Sequence, residues 1–436
     1  MDGALSRRGL LGGAAVVAAG VAGTVAGCSP KRRQERGVAG APPFDSQSWD
    51  SVRAQFALRT GVAHLATFVF ATHPAQVRAA IEEHRAGLDA DPAGYLAEHE
   101  ARLDEAAAAL AAAYLETSRT QVALTDSTTM GLGLLYTGLR LDPGDDVLTT
   151  EHDFYATHES LRLRAVRDGV TVRRVRLYRD PATASVDEIV SSLLAQLRPQ
   201  TRIVAVTWVH SSTGVKLPIR AMADALRARS PQALLCVDGV HGFAAEDATP
   251  ARLGCDFLVS GCHKWLYGPR GTGLVWGSPA GWARFTPVIP AFERASFGNW
   301  MGFAAGPVPP GPGATPGGYH SFEHRWALAE AFTFHNRLGR ARVAARTREL
   351  ASALKDGLAG VPGVRLATPV TPELSAGIVC CSVEGVAVGE AVDRLQAAKV
   401  VASATPYNPS LLRFGTSILN SERDVTAAVA AVRSLT

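Results

Sequence analysis

Short, almost uninterrupted apolar runs alternate along this chain with stretches whose apolar positions recur every three to four residues. That alternation predicts strands buried on both faces with helices packed over them. Residues 121–124 predict a strand and 130–139 a helix; Asp142-Pro143-Gly144-Asp145 predicts a turn, and 146–149 the next strand. A helix is expected over 156–166, strands over 170–177 and 203–209, and a helix over 219–229. Two further strand-like runs follow, 233–237 and 256–260, each ending in a cluster of polar residues. Strands separated by helical segments imply an α/β fold with a mostly parallel sheet flanked by helices. Residues 305–318 are crowded with Pro and Gly and read as a hinge or a site loop. Beyond them, 322–358 reads as long helical structure, and 378–383, 390–399, 411–414 and 422–435 as a smaller C-terminal α+β domain.

Composition changes this picture little. The 436 residues are 47% apolar and 19% charged, enough for two cores, and a net charge of +4 without a basic stripe argues against nucleic acid as a partner. The N-terminus stands apart. Ser6-Arg7-Arg8-Gly9-Leu10-Leu11 is a twin-arginine start, followed by a weakly apolar stretch that ends at Val25-Ala26-Gly27-Cys28. Residues 1–28 therefore read as an export signal, with Cys28 either a lipid-anchored first residue or passed over by ordinary cleavage nearby. Export would place the protein in the periplasm or on the outer face of the cytoplasmic membrane. Residues 29–48 form a linker, 49–318 a large domain with an N-terminal arm, and 319–436 a small C-terminal domain. The remaining cysteines, Cys236, Cys255, Cys262, Cys380 and Cys381, are odd in number and lack CxxC spacing. They read as buried free thiols, and no metal-ligand spacing accompanies them.

Candidate chemistry lies at the ends of the two central runs. The first ends in Asp238-Gly239-Val240-His241, the second in Gly261-Cys262-His263-Lys264-Trp265. Strand ends of this kind are where open α/β sheets hold ligands. An Asp and a Lys brought together there suit pyridoxal 5′-phosphate (PLP): the amine of Lys264 closes a Schiff base on the aldehyde, and Asp238 keeps the ring nitrogen protonated. Thr125-Asp126-Ser127-Thr128-Thr129, between a strand and a helix, reads as a phosphate seat using free N–H groups and the hydroxyls of Ser127, Thr128 and Thr129, or else as a simple helix cap. In Glu151-His152-Asp153-Phe154-Tyr155, Phe154 is the candidate for stacking on the ring, with Tyr155 second. Ser211, in the turn after the strand at 203–209, and His241 are candidates for hydrogen bonds near the ring hydroxyl.

Thr149-Thr150-Glu151-His152-Asp153-Phe154, Val237-Asp238-Gly239-Val240-His241 and His263-Lys264-Trp265-Leu266-Tyr267-Gly268-Pro269-Arg270-Gly271-Thr272-Gly273 together resemble the class V aminotransferases, and within them the isopenicillin N epimerase-like branch. The resemblance runs from about residue 44 to the C-terminus. It implies the fold-type I PLP architecture and a homodimer with active sites at the subunit interface. It further implies that Lys264 carries the cofactor, that Asp238 pairs with the ring nitrogen and that His263 helps hold the phosphate. Leu411-Leu412-Arg413-Phe414-Gly415-Thr416 resembles the family's C-terminal arginine motif, so Arg413 would bind the substrate carboxylate through a bidentate pair. Two departures stand out. Cysteine desulfurases of this superfamily place a nucleophilic Cys shortly before that Arg, and here Val401-Ala402-Ser403-Ala404-Thr405-Pro406-Tyr407 has none. Many relatives also have a Ser where this chain has Gly261.

The expected function is PLP-dependent chemistry on an amino acid or an amine-bearing, peptide-derived metabolite, with transamination or a related tailoring reaction foremost. Epimerisation and C–S or C–C lyase chemistry are the alternatives within the enzyme class. A PLP-binding protein without turnover is the alternative outside it.

Overall fold

The computed structural model describes residues 42–436; the export motif and Cys28 lie outside them. The central sheet has seven strands: β1 (Val122–Thr125), β2 (Asp146–Thr150), β3 (Thr171–Val175), β4 (Thr201–Thr207), β5 (Leu234–Asp238), β6 (Phe257–Gly261) and β7 (Gly273–Gly277), in the order β1-β7-β6-β5-β4-β2-β3. All run parallel except β7, which is antiparallel to both its neighbours. Every residue of β5, β6 and β7 is buried, as expected for strands covered by helices on both faces. The register aligns Thr207 of β4 with Asp238 of β5, and Asp238 with Val259 of β6. The carboxyl ends of three adjacent strands thereby meet at one edge of the sheet.

Element boundaries follow local chemistry. Gln121 belongs to a 3-10 turn that precedes β1 and is not part of the strand. The strand expected over 203–209 stops at Thr207, because Val209 turns to φ +88, outside the strand region and strained for a β-branched residue. The stretch 322–358 is two helices, Phe322–Leu338 and Arg340–Ala359, broken where Gly339 takes φ +81. Part of the Pro/Gly-rich segment covers the edge strand β1: Thr315 Oγ1 accepts a hydrogen bond from the Leu124 N–H at 3.1 Å. Covering that edge removes a template for unwanted strand pairing.

The C-terminal part carries a four-stranded antiparallel sheet of β8 (Val364–Leu366), β9 (Ile378–Val383), β10 (Ser403–Ala404) and β11 (Leu412–Gly415), in the order β10-β11-β9-β8. Helices Arg340–Ala359 and Glu422–Arg433 close a separate apolar cluster around it, including Leu354, Leu358, Val379, Phe414 and Val432. The N-terminal arm ties the two parts together. Its residues Ala63 and His64 pair in parallel with Val400 and Val401, and the chain then runs on to Phe68 between the two sheets. All five cysteines among the described residues are buried free thiols.

Candidate active site

The floor of the site is set by β5 and β6. Asp238, buried at the last position of β5, accepts a hydrogen bond from the Val240 N–H at 3.1 Å through Oδ1. Oδ2 has no partner among the described residues. Burial pushes this carboxyl well up from its ordinary value, against the opposing pull of the Val240 N–H and of Lys264. A cationic N–H placed against Oδ2 is the group that would stabilise its charged form, and a protonated pyridine ring supplies one.

Lys264 lies three residues past β6. Burial brings its ammonium down to about 8; Asp238 opposes this and Arg413 adds to it. Its Nζ is 3.4 Å from His241 Nε2, and the Trp265 indole N–H donates to His241 Nδ1 at 3.3 Å. Burial, then the charge of Lys264, holds His241 well below the ordinary imidazole value, so it stays neutral. With Nδ1 accepting from Trp265, the single proton of the ring is on Nε2, facing the lone pair of an uncharged Lys264 amine. His241 thus stands beside the amine.

The phosphate seat reads upward from the helix Thr128–Gly138. Ser127 is its N-cap, accepting from the Met130 N–H at 3.1 Å, and the other first-turn N–H groups of the helix lack intrahelical partners. The Thr128 hydroxyl accepts from the Gly261 N–H at 2.7 Å, so the seat is fastened to the end of β6, three residues before Lys264. Thr129 is exposed at the helix start. The His263 ring lies on the other side of Gly261: a Cβ built there would sit 2.9 Å from His263 Cε1 and 3.0 Å from Thr128 Oγ1. Burial, with Lys264 next, brings His263 down to about 4, a shift that a bound phosphate dianion would oppose. The cleft between Thr128 and His263 has no room for a Ser at 261 as the chain now stands, and the Thr128 hydroxyl is the one the geometry puts there.

On the opposite side, Asp153 is buried and accepts from Thr149 Oγ1 (2.6 Å), the Thr150 N–H (2.6 Å) and the Thr207 N–H (2.7 Å). It cross-links the ends of β2 and β4 and fixes the start of the helix Tyr155–Asp168. Phe154, at the N-cap of that helix, meets the Tyr407 ring edge-on at 6.3 Å, whereas Tyr155 is 69% exposed. Tyr407 hydrogen-bonds to Ser211 through the two hydroxyls at 2.8 Å. Arg413, on β11 and buried, donates to the Ser211 carbonyl (3.1 Å, Nη1) and to Ser403 Oγ (3.1 Å, Nε). No carboxylate among the described residues pairs with it. A guanidinium buried without an anion is costly, and an incoming carboxylate relieves that cost.

The structure thus places Ser127, Thr128 and Thr129 at one helix start and joins them through Gly261 to His263 and Lys264. It places His241 on Lys264, and Ser211 against both Arg413 and Tyr407. Four participants had no role in the sequence reading. Trp265 flanks the Lys, and its indole N–H needed a partner. Asp153 sits within the motif that supplied Phe154. Tyr407 and Phe68 had no local signal, because their neighbours come from distant parts of the chain.

A buried carboxylate and a depressed lysine at adjacent strand ends, with a helix N-terminus beside them, define a PLP-dependent enzyme of fold type I. The comparisons agree. The profile described as aminotransferase class-V matches residues 71–405, and the chain belongs to that family. The isopenicillin N epimerase of Streptomyces clavuligerus is 28% identical over 344 residues, 76% of this chain and 83% of the relative. A cysteine desulfurase of Pectobacterium atrosepticum is 32% identical over a shorter stretch of 137 residues, 31% of this chain and 32% of the relative. Among solved structures, a C-DES variant with glycine covalently linked to its PLP cofactor superposes with a TM-score of 0.79 at 19% identity, covering 87% of this chain and 98% of its own.

Proposed function

We propose that the protein is an exported PLP enzyme that acts at Cα of an amino acid, or of an amine-bearing, peptide-derived metabolite with a free carboxylate. The observation that carries this reading is Arg413: a buried guanidinium without a carboxylate partner among the described residues, whose charge is felt at Lys264. When bound, the cofactor supplies an aldehyde for the amine and an electron sink for the pair left at Cα. Asp238 would hold its charge opposite the ring nitrogen. Arg413 binds the carboxylate and so fixes which bond to Cα is held for cleavage. Lys264, whose neutral form burial makes accessible near pH 8 and which the His241 Nε2–H faces, accepts the proton from Cα. Phe154 and Tyr407 form the opposite wall and limit access of water from that side.

Transamination or a related tailoring reaction is the outcome we favour. A second reading, epimerisation, is supported by the isopenicillin N epimerase relative, which matches over most of its own length. The absence of a thiol between Val401 and Tyr407 weighs against desulfurase chemistry. The deciding experiment incubates the purified protein with amino acids and amine-bearing peptides in D2O, with and without a 2-oxo acid as amino acceptor, and identifies products by mass spectrometry and chiral separation. Loss of the amine supports transamination. Deuterium at an inverted Cα supports epimerisation, and no change in any compound overturns both in favour of a cofactor binder.

Export rests on Arg7 and Arg8, and a double Lys substitution should retain the protein in the cytoplasm. A homodimer is supported by the exposed rings of Phe292, Phe297, Trp300 and Phe303, which cluster in one segment. Light scattering of the purified protein should give twice the chain mass.

A further inference from the structure

The ring of Phe68 stands where three site groups converge. It lies under the Arg413 guanidinium, 4.9 Å from Cζ to the ring centroid. It stacks on Trp265 at 6.2 Å and meets His241 edge-on at 5.9 Å. Phe68 is 2% exposed. The backbone of β11 is shaped to admit it: a Cβ on Gly415 would fall 2.0 Å from Phe68 Cδ1, so only glycine leaves the space. The Gly415 N–H also donates to the Leu65 carbonyl at 2.6 Å, which fixes the arm against the strand that carries Arg413.

We infer that Phe68 is a positioning residue that couples the carboxylate clamp to the amine. It acts through two separate contacts. Its π face holds the Arg413 guanidinium in plane, where two of the nitrogens are already committed to Ser403 and Ser211. Its packing against Trp265 and His241 maintains the contacts from Trp265 Nε1–H to His241 and from His241 to Lys264 Nζ and keeps water from them. The inference rests on the assignment of Arg413 to carboxylate binding for its first half only; the second half concerns Lys264 alone.

The test uses the purified holoenzyme with Phe68→Leu and Phe68→Ala. Leu retains an apolar side chain of similar bulk but lacks the π face. Phe68→Leu should raise the KM of carboxylate-bearing amines relative to simple amines by on the order of tenfold, with kcat less affected. The pH at which the visible band of the bound cofactor changes should stay near the wild-type value. Phe68→Ala should move both: the KM ratio as above, and the pH of the band change by about one unit upward, because water reaches the Lys264 side. Both variants at wild-type values in both measurements would overturn the inference. Arg413→Ala separates the two layers: if it affects carboxylates and simple amines equally, the carboxylate assignment fails, while the band shift in Phe68→Ala still decides the second half. Should Phe68→Ala prove insoluble, an unchanged KM ratio in Phe68→Leu overturns the first half by itself.

Discussion

At the scale of single residues, the site is a set of groups held away from their ordinary charge states. Lys264 is brought down to about 8, so its reactive neutral form becomes available about two and a half pH units earlier than for a free lysine. The rate at which added cofactor attaches to cofactor-free protein should therefore rise through pH 8 and level off above it. Lys264→Ala should leave no cofactor that borohydride can fix to the chain; a fixed adduct on another residue would show that the wrong amine had been chosen. Gly261→Ser tests the phosphate seat. Its added Cβ meets the His263 ring and the Thr128 hydroxyl, both of which must shift. Cofactor retention on dilution should weaken by about tenfold, the equivalent of a modest overpacking penalty. Unchanged retention would place the phosphate elsewhere.

At the scale of elements, the helix Thr128–Gly138 has two duties, and Ser127 serves both. Its hydroxyl caps the helix, and its place beside the free amides makes it a neighbour of any bound phosphate. Ser127→Ala should cost about 1 kcal/mol of stability, read as a lower urea midpoint, together with weaker cofactor binding. Loss of stability without loss of binding would reduce Ser127 to a cap. Much of this level was legible in the sequence. The runs ending at Asp238 and before Lys264 are strands because nearly uninterrupted apolar residues fit only a doubly covered sheet, and their polar ends became the site. The break at Gly339 was not legible, since the apolar spacing continues through it on both sides and only the backbone conformation ends the first helix. Nor was the end of β4 at Thr207, because Trp208 and Val209 have strand propensity and tertiary contacts turn them aside. Phe68 and Tyr407 were missed for a related reason: each owes its role to partners far away in sequence, and no spacing rule reaches across such distances.

At the scale of the whole molecule, buried imidazoles decide how the protein responds to acid. His335 is fully buried, with Nε2 3.0 Å from the Ala244 carbonyl and Nδ1 3.0 Å from the Tyr114 hydroxyl. Burial brings it down to about 4. His73, also buried, is brought down to about 4 by the same cause, with Arg270 adding to it. Their folded values lie below the unfolded value of 6.5, so the fold favours the neutral rings. The stability they confer is complete above about pH 6.5 and is lost as pH falls from there toward 4. For His335 the loss is on the order of 3 kcal/mol. Asp238 works the other way, because a value raised to about 6 makes its charged form costlier in the fold, a cost relieved as pH falls below 6, but it is one group against several imidazoles. The melting temperature should therefore fall between pH 6.5 and 4. His335→Gln, which retains an N–H for the Ala244 carbonyl, should make that acid limb shallower; an unaltered limb would mean that other groups dominate it.

The pairing of Ala63 and His64 with Val400 and Val401 sets an order of events during synthesis. When β5 and β6 have left the ribosome, the seat for the vitamin and its lysine anchor can form, yet the strand that carries Arg413 has not been made. The early polypeptide must wait for almost the last to finish the pocket.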